Sequence, residues 1–173
     1  LPTACYGAKL QFEKDDYIGS EIYVNNNVEI EQQTYQVDLT RLETLNYKVV
    51  LGQNQNSIIP TELKASQHAV LLLDDQNTDF NTYATFDDQV RPILKLPNYG
   101  TTYNMTLLVY EEEVLIGGYI GELPVSLAQL RQDLTLHAFE FIPRPRGDEE
   151  FAEAWTYLTK NEVYRTYYAP RWS

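Results

Sequence analysis

Cysteine and histidine are scarce in this sequence, and their scarcity limits the chemistry that it can support. The chain has one cysteine, Cys5, and two histidines, His68 and His137. A single cysteine excludes an intramolecular disulfide, and zinc sites need several Cys or His ligands at short spacing. The same scarcity argues against Cys-His and Ser-His-Asp catalytic groups, so we favour a protein that is not an enzyme. We expect His68 at a strand end and His137 on the surface.

Positive charge is also in short supply. The chain carries 13 Lys and Arg residues against 25 Asp and Glu residues, which gives a net charge of −12 at pH 7. Nucleic-acid binding needs clustered cations that neutralise phosphates, so we expect no nucleic-acid partner. No apolar run approaches the length of a membrane-spanning helix, so we also expect no transmembrane span.

The first residues, LPTAC, resemble the end of a signal that precedes a lipidated cysteine. Pro2 stands where such signals usually carry Leu, Val or Ile, and no charged or apolar leader segment accompanies it. We therefore do not expect a lipid anchor at Cys5. The abundance of Tyr, Asn, Gln and Thr leads us to favour a secreted or otherwise extracytoplasmic location.

Alternating apolar and polar residues predict strands along most of the chain. The pattern is clear in SEIYV, YQVDL, YKVVLG and LHAFEFI. The Asp-rich stretch at 74–88 has the composition of a long exposed loop. We predict a mainly β fold in which residues 1–142 form an antiparallel β-sandwich domain.

The stretch VYEEEVLIGGYIGEL, beginning at Val109, predicts a tight hairpin. Its two apolar arms flank three glutamates, Glu111 to Glu113, which we interpret as a solvated turn. Gly117 and Gly118 follow in the second arm. Glycine inside a strand commonly marks a bulge or a bend, and we expect one there.

Helix signals come late in the sequence. Ser126 can cap a short helix with Leu127, Leu130 and Leu134 at helical spacing. After Pro143 and Pro145, a clearer helix is predicted with Asp148 as its cap. Its apolar stripe consists of Phe151, Trp155 and Leu158. We therefore describe residues 143–173 as a proline-hinged helix and an aromatic tail, packed on the β domain or on a partner.

The tail is the main positive evidence for a function. Tyr, Trp and Arg dominate the energetics of protein interfaces, and the tail concentrates them. The predicted partner-binding residues are Tyr164, Arg165, Tyr167, Tyr168, Arg171 and Trp172. We expect a non-enzymatic binding or structural protein that acts through protein–protein contacts or self-assembly.

Two alternatives rest on acidic residues. Calcium takes six to eight oxygen ligands from flexible loops, and the stretch LLVYEEEVLIGGYIGELPVSLAQL is similar to the end of a C2 domain. That resemblance implies a calcium-dependent ligand-binding or membrane-surface module, although C2 domains that bind calcium carry aspartates where this chain has glutamates. The candidate calcium ligands are Asp74, Asp75, Asp87, Asp88, Glu111 and Glu113. The other alternative is a carbohydrate-active enzyme that uses two facing carboxylates.

Overall fold

A computed structural model describes residues 8–24, 34–52, 60–87 and 93–173 of the chain. Cys5 and Asp88 lie outside these ranges. The described residues form eleven strands, one 3-10 turn and two helices. The strands are β1 (Ala8–Phe12), β2 (Ser20–Val24), β3 (Leu42–Gly52), β4 (Thr61–Glu62), β5 (Gln67–Asp75), β6 (Asn81–Phe86), β7 (Ile93–Pro97), β8 (Thr101–Glu111), β9 (Val114–Val125), β10 (Leu134–Glu140) and β11 (Arg171–Trp172). The helices are α1 (Asp148–Lys160) and α2 (Glu162–Tyr167).

The chain divides into two compact units. The first comprises residues 1–43 and 96–98, and within its described part β1 and β2 form an antiparallel pair from Ala8↔Val24 to Phe12↔Ser20. Lys9 and Glu21, on facing positions of that pair, form an exposed ion pair of 2.7 Å. Such a pair contributes roughly 0–1 kcal/mol. The second unit comprises residues 44–95 and 99–173 and carries most of the strands.

The large sheet is curled and mixed. Its strand order is β4-β3-β10-β9-β8-β5-β6, with β7 beside β3 and β11 beside β10. The prediction of a mainly β fold is confirmed, but the sheet is not antiparallel throughout, because β10 runs parallel to β3. Parallel neighbours require a long crossover connection, and here the connection includes every strand from β4 to β9.

The predicted hairpin is confirmed as β8 and β9, which pair from Thr101↔Val125 to Glu111↔Val114. Glu112 has φ of 57° in the turn, a conformation that only a few per cent of non-glycine residues adopt. Val109 faces Gly117 while Tyr110 faces Leu115, so Ile116 is an extra residue on β9. The expected bulge therefore lies directly before the glycine pair.

The stretch at 74–88 is not one long loop. Residues Asn81–Phe86 form β6, which pairs with β5 from Ala69↔Phe86 to Asp74↔Asn81. Only a short turn at 76–80 separates the two strands. Threonine, tyrosine and phenylalanine favour strands, and in Thr82, Tyr83, Thr85 and Phe86 this preference outweighs the turn-forming aspartates and asparagines around them.

The helix predicted after Ser126 is only a 3-10 turn, Gln129–Arg131. The Ser126 hydroxyl does engage this turn, because it donates to Oε1 of Gln129 over 2.8 Å. Leu134, which the predicted helix included, is not on the turn but is the first residue of β10.

The clearer helix exists, but it begins differently from the prediction. Asp148 is the first helical residue of α1, and Gly147, with φ of 84°, occupies the cap position. The carbonyl of Gly147 accepts a hydrogen bond from the N–H of Phe151 over 3.1 Å. The asparagine before α2, Asn161, is a true side-chain cap whose Oδ1 accepts from the N–H of Tyr164 over 3.1 Å.

The apolar stripe predicted on α1 is mostly not buried. Leu158 is fully buried, whereas Phe151 and Trp155 remain 40% and 37% exposed. Their rings stack on each other with centroids 6.3 Å apart. Leu158 is the member of the stripe that packs on the sheet, where it lies beside Gly118 of β9.

Candidate functional site

The five candidate calcium ligands that the structure describes do not gather at one place. Asp74 pairs with Asn104 at one end of the β5–β8 ladder, and Glu111 pairs with Gln67 at the other end. Seven residues of β5 separate these positions, which corresponds to about 23 Å. Asp87 directly follows Phe86, which pairs with Ala69, so Asp87 lies towards the Glu111 end. Glu113 is exposed in the β8–β9 turn, and within the described ranges no three His, Cys, Asp or Glu side chains form a group that could hold a metal ion.

Asp75 is the most elaborately bonded acid of the second unit. Its carboxylate is buried and accepts hydrogen bonds from the hydroxyls of Thr78, Tyr99 and Thr101 over 2.6–2.9 Å, and from the N–H of Asn77 over 2.9 Å. Burial alone raises the pKa of a carboxyl, but these donors stabilise its charged form, and the net pKa of Asp75 is lowered. The network ties the β5–β6 turn to the start of β8.

Replacing Asp75 by asparagine is expected to destabilise the protein by about 1–3 kcal/mol, because an amide offers one acceptor oxygen where the carboxylate offered two. A carboxyl with a lowered folded-state pKa stabilises the fold above its unfolded pKa, near 3.9, and this contribution is lost as the pH falls through the folded value. The destabilisation by Asp75→Asn should therefore be full at pH 7 and shrink below about pH 4.

Urea denaturation of both proteins across that pH range measures the difference. Asp79→Asn, on an exposed aspartate of the same turn, provides the matched control and should show no such pH-dependent loss. A constant difference between the Asp75→Asn variant and the parent protein at every pH would contradict the assignment of a charged, hydrogen-bonded Asp75.

Glu111 is engaged within the chain. Its Oε2 forms an ion pair with Arg144, and its Oε1 accepts from the hydroxyl of Ser66 over 3.2 Å. The guanidinium of Arg144 is the main cause of a lowered pKa at Glu111. The ion pair links the end of β8 to the proline-containing segment that precedes α1, so Glu111 positions that segment.

The predicted partner-binding tail divides into buried and accessible residues. Tyr164 and Tyr168 are 1% and 5% exposed, and both pack against the ring of Phe139 on β10. The Tyr164 hydroxyl donates to the carbonyl of Gly118 over 2.6 Å, and burial strongly raises its pKa. Tyr157 of α1 also packs on this group. We call Phe139, Tyr157, Tyr164 and Tyr168 the tyrosine cluster.

The other four tail residues are at least partly accessible. Tyr167 is exposed, and Arg165 is half-buried with its carbonyl bonded to the hydroxyl of Tyr119. Arg171 and Trp172 form β11, paired with Thr135 and Leu134. The structure thus separates the six residues into a core pair and a more accessible set.

The two histidines differ in environment. His68 lies near the start of β5, as expected, and stacks on Tyr110 with centroids 5.3 Å apart. His137 is only 9% exposed, so its expected surface position is wrong. The consecutive residues Leu136, His137 and Ala138 of β10 are all buried, so both faces of the strand are covered there, which alternation along a single strand does not reveal. Burial, with the nearby cations Arg171 and Lys48, lowers the pKa of His137.

A distinctive exposed feature of the second unit is the aromatic surface of α1, which consists of Phe151 and Trp155. They are 40% and 37% exposed and stack on each other, although α1 has thirteen residues and buries only Leu158. Tyr157, two residues after Trp155, lies on the opposite side of the helix, where it packs on the other members of the tyrosine cluster. The sequence signal for this surface was present in the stripe. Whether this stripe packs on the β domain or on a partner is left open by the sequence, because periodicity identifies an apolar face but not what covers it.

A groove runs between α1 and the segment at 139–145. Its volume is about 550 Å³, within the range of roughly 300–1,000 Å³ that is typical of ligand sites. The lining consists of Phe139, Phe141, Ile142, Pro143, Pro145, Ala154 and Tyr157, with Glu150 and Glu153. Sequence reasoning did not identify this groove, since it forms only when the segment after β10 folds beside the helix.

The two glutamates of the groove are not arranged as a glycosidase pair. Such enzymes place two carboxyl groups on either side of the scissile bond. Glu150 and Glu153 are three residues apart on one helix, so they lie side by side on the same wall. Glu150 also accepts a hydrogen bond from the N–H of Arg146 over 2.6 Å. The groove therefore resembles a binding surface more closely than a hydrolytic site.

In the part of the chain that the structure describes, no helix has the length and apolar character needed to cross a membrane.

Known proteins give no further guide to this site. No family model matches the sequence, and no curated protein and no solved structure matches it either.

Proposed function

We propose that this chain is a non-enzymatic binding protein that contacts another protein through the aromatic surface of α1. The observation that carries the proposal is the imbalance of that helix. It presents Phe151 and Trp155 to solvent while burying a single leucine. Solvated helices normally direct such side chains inward, and exposed apolar patches commonly mark interaction sites.

The residue types and their surroundings support the same proposal. Trp and Tyr are enriched at the energetic centres of interfaces. Further exposed apolar side chains lie on adjacent elements: Ile142 before α1, and Val163 and Tyr167 on α2, are 66%, 70% and 43% exposed.

Site-specific photocrosslinking tests the proposal. A benzophenone amino acid at position 155, in protein produced in its native cells, should give one covalent adduct of defined mass. The same group at position 83 is the control, because Tyr83 is an aromatic residue on β6 that is 75% exposed. We expect no discrete adduct from position 83.

The partner is identified from the adduct and purified separately, and its affinity for the chain without the benzophenone group is then measured. Trp155→Ser should weaken binding by about 30-fold or more, the loss expected for an interface residue worth 2 kcal/mol. Tyr83→Ser should leave the affinity unchanged. Equal adducts from both positions, or an affinity insensitive to Trp155→Ser, would show that α1 is not the binding surface.

A further inference from the structure

We infer that the groove between α1 and the segment at 139–145 holds an extended segment of the partner protein in which a Lys or Arg side chain follows or precedes a large apolar one. This inference rests on the proposed function, because it assigns a second part of the same contact surface and the chemistry of what binds there. It concerns residues that the aromatic surface of α1 does not include.

The side chains that line the groove indicate that the bound segment carries a large apolar side chain. Phe139, Phe141 and Tyr157 contribute aromatic rings, and Pro143 and Pro145 contribute ring faces without an N–H donor. Rings and prolines form contacts that are apolar and rigid, with little side-chain entropy to lose on binding. Ala154, a small residue on α1, leaves room between the rings. A side chain such as leucine or phenylalanine fits that room.

The acidic residues of the groove indicate that the bound segment also carries a Lys or Arg side chain. Glu150 and Glu153 are the acids that line the groove. The two arginines of the preceding segment, Arg144 and Arg146, line a separate groove with Phe151 on its other side. Arg144 is also paired with Glu111. Among the described residues, the lining of the groove therefore includes two acids and no Lys or Arg, so the formal charge that the lining carries is negative.

A Lys or Arg side chain in this groove would contact both the apolar rings and the two glutamates of the lining. Lys and Arg bind carboxylates through their charged ends and pack their aliphatic stems on apolar surface. They also interact favourably with aromatic faces within about 6 Å. An acidic segment would place like charges beside each other in a partly desolvated groove, which disfavours binding. The groove therefore discriminates by charge as well as by shape.

Peptide mixtures test this chemistry without knowledge of the natural partner. The probes are fluorescent hexapeptide mixtures with leucine fixed at one position and either arginine or glutamate fixed beside it, and the remaining positions randomised. Fluorescence polarisation with the full chain should give binding at least tenfold tighter for the arginine mixture. That preference should decrease at high salt, because added ions screen exposed charges.

Three variants locate the binding. Ala154→Trp fills the groove and should reduce binding of the arginine mixture at least tenfold. Thr156→Trp, at an exposed position of the same helix, adds the same bulk outside the groove and should not reduce it. Glu153→Lys reverses one exposed charge without removing a buried contact, and should shift the preference towards the glutamate mixture. Melting temperatures close to that of the parent protein confirm that each variant is folded.

The outcomes separate this inference from the proposed function. Equal binding of the two mixtures, or binding unaffected by both Ala154→Trp and Glu153→Lys, overturns the groove assignment. A crosslinked partner at position 155 would in that case leave the proposed function intact. Binding of the apolar part without any charge preference would indicate a purely apolar ligand and would likewise overturn the basic motif.

Discussion

Replacing Tyr164 by alanine is expected to destabilise the protein by about 3–5 kcal/mol, the range observed when a large buried ring is truncated. Tyr164 is 1% exposed and lies within ring-contact distance of Tyr119, Phe139, Tyr157 and Tyr168. Its loss removes the residue on which the tyrosine cluster converges. For a domain whose total stability is about 5–15 kcal/mol, this is a substantial fraction.

A conservative variant separates the contribution of the Tyr164 ring to the free energy of unfolding from that of its hydroxyl. Tyr164→Phe keeps the ring but removes the hydroxyl that donates to Gly118, and should cost about 0.5–1.5 kcal/mol. Tyr167→Ala is the matched control, since Tyr167 lies on the same helix and is 43% exposed. Urea denaturation measures all three. A loss for Tyr167→Ala as large as that for Tyr164→Ala would contradict the central place of Tyr164.

Replacing Gly117 by alanine is the second change with a large expected effect. An added Cβ would lie far inside van der Waals contact with the carbonyl oxygen of Phe139 on the neighbouring strand. Backbone atoms cannot rotate away as a flexible side chain can. The two strands share only the pairs Phe139↔Gly118 and Glu140↔Gly117 among the described residues, so relief of the clash disrupts their contact. We expect a loss at or above the upper end of the roughly 1–3 kcal/mol typical of overpacking.

Thermal unfolding provides the measurement. A loss of about 3 kcal/mol corresponds to a fall in melting temperature of about 6–12 °C for a chain of this size. Gly100→Ala is the control, because its Cβ would meet the nearest atom, the carbonyl oxygen of Val125, at an ordinary 3.4 Å. Equal melting temperatures for the two variants would show that β9 and β10 separate more easily than the structure indicates.

Local features of this fold could be predicted from the sequence. The β8–β9 hairpin follows from two alternating runs around a polar turn, and Gly117 marks its bulge. β10 follows from the alternation in LHAFEFI. Each of these inferences needs only neighbouring residues, since strand period, turn chemistry and glycine geometry all act within a short window.

Features that depend on distant residues could not be predicted. The parallel pairing of β10 with β3 joins segments that no local pattern connects. Asp75 was predicted as a metal ligand, but Tyr99 and Thr101, far along the chain, surround it with donors. Tyr164 and Tyr167 have the same side chain and differ only in what covers them. The groove, likewise, exists only where two separate segments meet.

The parallel pairing of β3 with β10 also has a consequence for biosynthesis. Roughly 90 residues separate the paired positions, so closing this contact carries a larger entropic cost than closing the β8–β9 hairpin, and it should form later. On a ribosome that adds about 5–20 residues per second, one edge of β3 waits several seconds for its neighbour. The ring of Phe139 is then exposed until Tyr164 and Tyr168, which pack on it, have been synthesised. The nascent chain therefore exposes an unpaired strand edge during synthesis, and such edges are prone to the aggregation that chaperones prevent.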